Sequence, residues 1–403
     1  MKRAVFVTLV FALALGLGCK SGPKVIKIGV AGPLTGDQAK MGMDLVNGVS
    51  LAVDEWNAKG GILGVKIEIV KGDDRRDPKE ANSVAQKLVN DGVVAVVGHF
   101  NSSCSIPASQ IYHENKVPQI SPASTNPQLT QQGFGSVFRT CGRDDQQGSV
   151  GAKFVLQVLG KKRIAVLHDK TTYGQGLADE FKKHLGDSAQ VVIYEGIIQG
   201  DKDFKAVLTK VKQAKPEVLY FGGIYPEAGL MVKQMRDLGI KADFVAGDGV
   251  IDPEFLKIAG DAALGSYLSF GPDPKELPTA KRFIEAHQAK YGEIGPYSVY
   301  SYDAANIILT AIQVAGKTDG DKIAEEIHKI KYEGAIGTIQ FDPKGDVLKA
   351  PYIFWQVQKV TGPDGRASSY ATSIPPSSRT TFASASASRS TPTPWLQHST
   401  TFC

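Results

Sequence analysis

Short apolar runs rich in Val and Ile alternate with amphipathic helical stretches from residue 24 to about residue 358, and no other feature of the chain narrows its fold as far. Residues 25–30 form an apolar run stopped by Gly and Pro. Across 43–59, Leu45, Val49, Ala52, Val53 and Trp56 recur at helical spacing, and Gly60-Gly61 ends the stretch. Residues 65–70 read as a second strand. Pro78 opens a helix with Val84, Ala85, Leu88 and Val89 on its inner face, and 93–97 read as a third strand. The same unit recurs as 163–167 with 176–185, as 191–194 with 204–213, and as 218–221 with 226–238. Continuous apolar strands separated by helices require parallel sheets covered on both faces. The units are too many for one sheet and divide into two series near Arg143. The expected fold is α/β, with two doubly wound parallel-sheet lobes. The late helices 278–291 and 300–315 return to the first lobe. A chain of 403 residues is long enough for two such domains.

The two ends differ from this body. Lys2 and Arg3 precede an apolar run over 4–17. That is shorter than the roughly 20 residues of a membrane-spanning helix, so 1–18 read as a secretory signal. The run closes on Leu15-Gly16-Leu17-Gly18-Cys19. Small residues before a cysteine resemble the lipobox of bacterial lipoproteins. The resemblance implies acylation at Cys19, with 19–23 as the anchor linker; the alternative is ordinary signal cleavage beside an incidental cysteine. Both place the protein outside the cytoplasm, in the periplasm. At the other end, 18 of the 43 residues in 361–403 are Ser or Thr and none is Lys. Such a segment buries too little surface to offset its ordering entropy and is expected to be disordered. The net charge of +5 sits largely at these ends, which argues against a nucleic-acid surface.

Enzyme chemistry has no foothold in the motifs. The seven His lie far apart, so neither an HExxH arrangement nor Cys/His metal spacing exists. No G-x-S-x-G elbow or phosphate-binding GxxxxGK[ST] loop occurs. Gly29, Gly32 and Gly36 follow a strand, but their spacing is not GxGxxG. Pro33 also removes a backbone donor that a pyrophosphate would use. The expectation is a non-enzyme with no cofactor and no metal. Four Cys do not make a disulfide scaffold.

Three strand-end loops carry dense polar chemistry, and ligands of open α/β sheets sit beyond the carboxyl ends of the strands. After the third strand come residues 98–105, Gly-His-Phe-Asn-Ser-Ser-Cys-Ser, leading into a helix. Hydroxyls and helix N-terminal amides suit a carboxylate, although Ser there serves equally as a plain N-cap. Residues 121–126, Ser-Pro-Ala-Ser-Thr-Asn, follow the fourth strand. In the second series, 245–250 set a single acid, Asp248, on a Gly-rich strand end; it is either an ammonium partner or a turn residue. Together the loops offer anion binding on one lobe and cation binding on the other, which is what an α-amino acid zwitterion requires.

At this point the residues resemble a known family. Residues 57–62 (Asn-Ala-Lys-Gly-Gly-Ile), Asp73-Asp74 with Asp77-Pro78, and Val97-Gly98-His99 belong to an ordered set. So do Ser121-Pro122-Ala123, His168-Asp169 with Tyr173-Gly174, and Gly222-Gly223 with Pro226-Glu227. The set resembles the leucine/isoleucine/valine-binding proteins, periplasmic receptors of branched-chain amino acid ABC importers, over residues 24–357. The resemblance implies a type I periplasmic-binding fold with three crossings, near 139–144, 250–270 and 341–351. The first lobe would comprise 24–142 and 271–345, the second 143–270 and 346–360. It implies a ligand carboxylate held by Ser102 and Thr125, and an ammonium held by the Ala123 carbonyl, Thr125 and Asp248. Tyr173 would close over the ligand. Met41, Phe100, Asn101, Ser124, Ile224, Tyr225 and Tyr297 would complete the pocket and its closure.

The implied function is capture of a branched-chain or other neutral amino acid by a monomer anchored to the membrane through lipid, for delivery to an ABC permease in the inner membrane. The alternative is a sensor or receptor of the same fold for an amide, urea or aromatic acid. The chain departs from the family in several places. The acid is often Glu where Asp248 stands. Met41 and Ile224 replace aromatic residues, and Ser124 adds a hydroxyl. Arg76 and Asn101 occupy the positions of a disulfide found in some relatives, leaving Cys104 and Cys141 free unless they pair with each other.

Overall fold

A computed structural model describes residues 25–361 and 367–373. The signal and anchor segments, Cys19 included, and residues 374–403 lie outside the described residues. Strands β1 (Val25–Gly32), β2 (Lys66–Asp73), β3 (Ala95–Gly98), β4 (Gln119–Ser121) and β5 (Val137–Arg139) form one sheet in the order β2-β1-β3-β4-β5, every pair parallel. A second sheet takes β6 (Arg163–His168), β7 (Gln190–Gly196), β8 (Val218–Gly222), β9 (Asp243–Ala246) and β10 (Tyr267–Phe270). A small hairpin, β11 (Tyr332–Gly334) with β12 (Gly337–Ile339), precedes β13 (Ile353–Thr361) and β14 (Ala367–Ser373). The second sheet runs β7-β6-β8-β9-β10-β13-β14, parallel from β7 to β10 and antiparallel beyond.

Apolar periodicity accounts for the helices that cover these sheets. In helix Ala39–Ala58, Leu45, Val49, Ala52 and Val53 are buried. The chain leaves it through Gly60 and Gly61, whose φ of +100° and +80° favour residues without a Cβ. Helix Pro78–Asn90 starts where the Asp77 carboxylate accepts from the Lys79 and Glu80 amides, with Pro at the first position. Helix Ser298–Ala315 packs along Ala39–Ala58 and so belongs to the first lobe. Trp56 Nε1 donates to Asn306 Oδ1 at 2.9 Å between them. The two lobes are two doubly wound α/β layers, each with a core of Val, Ile, Leu and Phe.

Two features differ from the sequence reading. The second crossing does not fall at 250–270: β10 pairs with β9 and β13 inside the second sheet, so the chain crosses after Phe270. The run 250–270 holds helix Pro253–Ala259 and then β10, and the pairing of β10 keeps the whole run in the second lobe. Nor is the tail wholly without structure from 361. Ala367–Ser373 pairs antiparallel with β13 from Trp355 to Thr361, because an unpaired strand edge supplies backbone partners whatever the side-chain composition.

The topology already fixes where a ligand belongs. Strand order reverses between β1 and β3, and again between β6 and β8. Loops leaving the strand ends on either side of such a switch diverge and open a crevice. These are the loops carrying 98–102 on one lobe and Asp169–Tyr173 and Gly223–Tyr225 on the other.

Candidate functional site

The first-lobe wall is a network of hydroxyls and carbonyls. After β3 comes a cis Gly98–His99 peptide, and Asn101 then stands at the N-cap of helix Ser102–Glu114 without a side-chain bond to the helix amides. The positive end of that helix is therefore turned on the loop. The His99 carbonyl accepts from Ser105 Oγ at 3.0 Å and from Ser121 Oγ at 2.8 Å. Ser124 Oγ lies 2.6 Å from Ser105 Oγ and donates to the Phe100 carbonyl at 2.8 Å. Beneath the loop, the fully buried Arg139 donates to the carbonyls of Ser124 (2.7 Å) and Asn126 (3.0 Å). These bonds fix 121–126 rigidly. The Ala123 carbonyl takes part in none of them. Ser102 Oγ accepts from the Asn126 amide at 3.3 Å, and the buried Thr125 hydroxyl faces the Asp144 carboxyl.

The second-lobe wall is charged. Asp248 opens a short 3₁₀ turn after β9 and is buried. Tyr173, at the start of helix Thr172–Leu185, donates its hydroxyl to Asp248 Oδ1 at 2.8 Å and accepts from the Gly249 amide at 2.9 Å. Tyr297, from the first lobe, donates to Asp248 Oδ2 at 3.0 Å. Both carboxylate oxygens thus meet phenols, and no cation is paired with this acid among the described residues. Burial pushes Asp248 above the usual carboxylate range, and the bonds from Tyr173 and Tyr297 pull against it. Burial, then the Asp248 charge, pushes both tyrosines well above their ordinary range, so they remain protonated donors. On the hinge side of Asp248 and Tyr297 lies a cavity of about 190 Å³, bounded by Cys141, Phe270, Tyr300 and Tyr352.

The structure brings most of the expected site residues together. Phe100 meets the Tyr297 ring edge-on at 4.7 Å. Met41 Sδ lies 3.6 Å from Gln38 Nε2, and the Gln38 amide oxygen in turn accepts from Asn101 Nδ2 at 3.0 Å. Ile224 packs beside Gly249 and Tyr173, so close that a Cβ at Gly249 would lie 3.0 Å from its methyl. One residue takes another part and one closes the cleft. The Ser124 hydroxyl, expected in the side-chain pocket, is turned into the loop network, where Ser105 and the Phe100 carbonyl hold it. Tyr225 reaches across the cleft mouth and donates to the Asp37 carbonyl at 2.6 Å, so it straps the lobes together. Cys104 and Cys141 are both free and buried, and burial pushes both thiols up.

Sequence reasoning missed Asp144. It begins helix Asp144–Lys153 and is fully buried, with its carboxyl beside the Thr125 hydroxyl. Burial raises it well above the carboxylate range, the bond from Thr125 pulls against that, and the nearby Asp248 charge raises it further. Its amide donates to the Thr125 carbonyl at 2.9 Å, tying the two walls. In the sequence, Asp144-Asp145 looks like an ordinary acidic helix start.

Comparisons with known proteins place this geometry. A family model described as periplasmic binding protein matches residues 25–365. A Leu/Ile/Val-binding protein homologue of Brucella abortus is 43% identical over 91% of this chain and 98% of its own length. The crystal structure of a leucine-binding protein from Thermotoga maritima superposes with a TM-score of 0.79 at 35% identity, covering 87% of this chain and 99% of its own. A branched-chain amino acid transporter substrate-binding protein from Streptococcus pneumoniae, solved in complex with isoleucine, gives 0.77 at 31% identity, covering 87% and 100%.

Proposed function

This chain belongs to the periplasmic binding protein family, and from that premise we propose that it is the receptor of an ABC importer that closes on a branched-chain amino acid. The observation that carries the reading is Asp248, a buried carboxylate with phenol donors on both oxygens and no paired cation among the described residues. A buried acid of this kind is stabilised by a positive group supplied from outside. Opposite it, Thr125 Oγ1, Ser102 Oγ and the N-terminus of helix Ser102–Glu114 suit a carboxylate. An α-ammonium and an α-carboxylate on one carbon join the two walls. Met41, Phe100 and Ile224 are buried and would meet an aliphatic side chain, where each buried CH₂ is worth about 0.8 kcal/mol. The names of its relatives, for leucine, isoleucine and valine, support the same ligand class.

In this reading the ligand touches both lobes only when they are closed. It therefore shifts the population toward the form the permease recognises. Export through 1–18 and acylation at Cys19 would hold the receptor at the membrane, and Cys19→Ala should release it from the detergent phase. The deciding experiment is a calorimetric screen of the twenty amino acids together with the des-amino analogues of leucine, isoleucine and valine. The expected result is micromolar or tighter binding of branched-chain amino acids and poor binding of the analogues. Equal binding of the analogues would sink the zwitterion reading.

A further inference from the structure

At the mouth of the cleft, a cation of the first lobe is plugged into an acidic socket of the second. Arg76 stands in the turn between β2 and helix Pro78–Asn90. Arg75 and Arg76 both have positive φ, 50° and 64°, a costly arrangement for residues with side chains. Asp74 Oδ1 holds the turn by accepting from the Arg76 amide at 2.9 Å. From there Arg76 Nη2 reaches Glu227 Oε1 at 2.8 Å, with side chains 10% and 2% exposed. The same Glu227 oxygen accepts from the Gly200 amide at 2.8 Å. The Gln199 side-chain amide, with its oxygen facing the guanidinium, accepts from Arg76 as well. Asp169 is buried at the same socket, pushed up to about 6 by burial while the Arg76 charge pulls against it.

We propose that Arg76 is an affinity-determining residue that never touches the ligand: seated in the Glu227 socket, it sets the fraction of molecules that are closed. Every partner of Arg76 in the socket comes from the second lobe, so the contact exists only when the lobes meet. In the open form both charges are hydrated. Closure with the pair intact exchanges water for a charge-assisted bond, whereas closure with one partner missing buries an unpaired charge. A neighbouring bridge provides the contrast. Lys202 and Asp37 also span the mouth at 2.8 Å, but both are 62% exposed, and exposed pairs contribute little. Apparent affinity scales with the fraction already competent to bind, so a bias toward closure at the mouth appears in the ligand's dissociation constant.

The inference rests on the receptor reading, and the test separates the two. Affinity for leucine is measured calorimetrically, and small-angle scattering without ligand gives the radius of gyration, for wild type, Arg76→Met, Arg76→Lys, Glu227→Gln, Arg76→Met/Glu227→Gln and Asp37→Asn. Arg76→Met should bind leucine about 10-fold or more weakly, in line with an unpaired buried charge, and scatter as a more open particle. The double variant should bind better than Arg76→Met alone, because no charge is then left unpaired. Arg76→Lys should fall between wild type and Arg76→Met, and Asp37→Asn should stay within about twofold of wild type. Wild-type behaviour of Arg76→Met in both measurements would overturn the proposal. So would a double variant that loses the product of the two single losses. If wild type ignores leucine, the choice of ligand fails, and the scattering series still decides the lock.

Discussion

Ser102, Ala123 and Thr125 sit on segments cross-braced by Ser105, Ser121, Ser124 and the buried Arg139. Asp248 sits on a three-residue turn held by two phenols, one from each lobe. The first wall is made of neutral groups and organised mostly by its own lobe, with Asp144 as a tie from the second. The second is charged, and half of its support arrives only when the lobes close. Neutral hydroxyls can sit beside water at little cost before a ligand comes, but a buried carboxylate cannot. The affinity of the site should therefore depend most steeply on the second wall and on closure, and less on the first.

The comparison breaks most directly at Asp248. Asp248→Asn keeps the size and removes the charge, which should weaken amino acid binding by two orders of magnitude or more, since breaking a buried pair costs about 3–5 kcal/mol. Titration of the variant with leucine and with its des-amino analogue checks this; the analogue should gain relative to leucine. Normal binding of leucine by the variant would mean that the ammonium sits elsewhere. On the first wall, Thr125→Val and Ser102→Ala should each cost about 1.5–3 kcal/mol, roughly 10- to 150-fold in affinity. A loss below twofold at both would remove the carboxylate from that wall. Tyr173→Phe takes one of the two phenols from Asp248 and leaves Tyr297 in place. About tenfold weaker binding is expected, with unchanged thermal stability separating a site effect from a folding one.

The smallest effect is on pH. Burial raises the Asp248 carboxyl in the closed form, so below that raised value the unliganded closed site takes up a proton that the ammonium must displace. Binding then releases a proton, and affinity falls as pH falls through that titration, by at most about tenfold per pH unit. Above it the profile is flat. Calorimetry across an acidic to neutral series should show this slope in wild type and lose it in Asp248→Asn.

Much of the site was legible because its residues cluster in sequence. Residues 98–105 and 121–126 each place several hydroxyls at the end of an apolar strand, and strand ends on one side of an α/β sheet converge. Asp248 stood out as a lone acid among glycines. Asp144 did not, because an acid at a helix start has an ordinary explanation and its burial against Thr125 depends on how the second lobe meets the first. Ser124 was misread for a related reason. Its hydroxyl counts as pocket chemistry in a linear reading, but in the fold Ser105, from the first turn of helix Ser102–Glu114, lies 2.6 Å away.

By itself, the sequence determined that the chain builds two parallel-sheet α/β lobes, because hydrophobic period and turn residues are local and each helix or strand carries its own signal. It also determined which strand-end loops carry the polar groups. Only the tertiary structure decided which groups oppose one another across the cleft. Tyr297 reaches Asp248 from 49 residues away and Arg76 reaches Glu227 across 151, and no periodicity records such a pairing. The strength of those contacts comes from the exclusion of water when two separately folded lobes meet, and desolvation belongs to the assembled surface rather than to any stretch of chain.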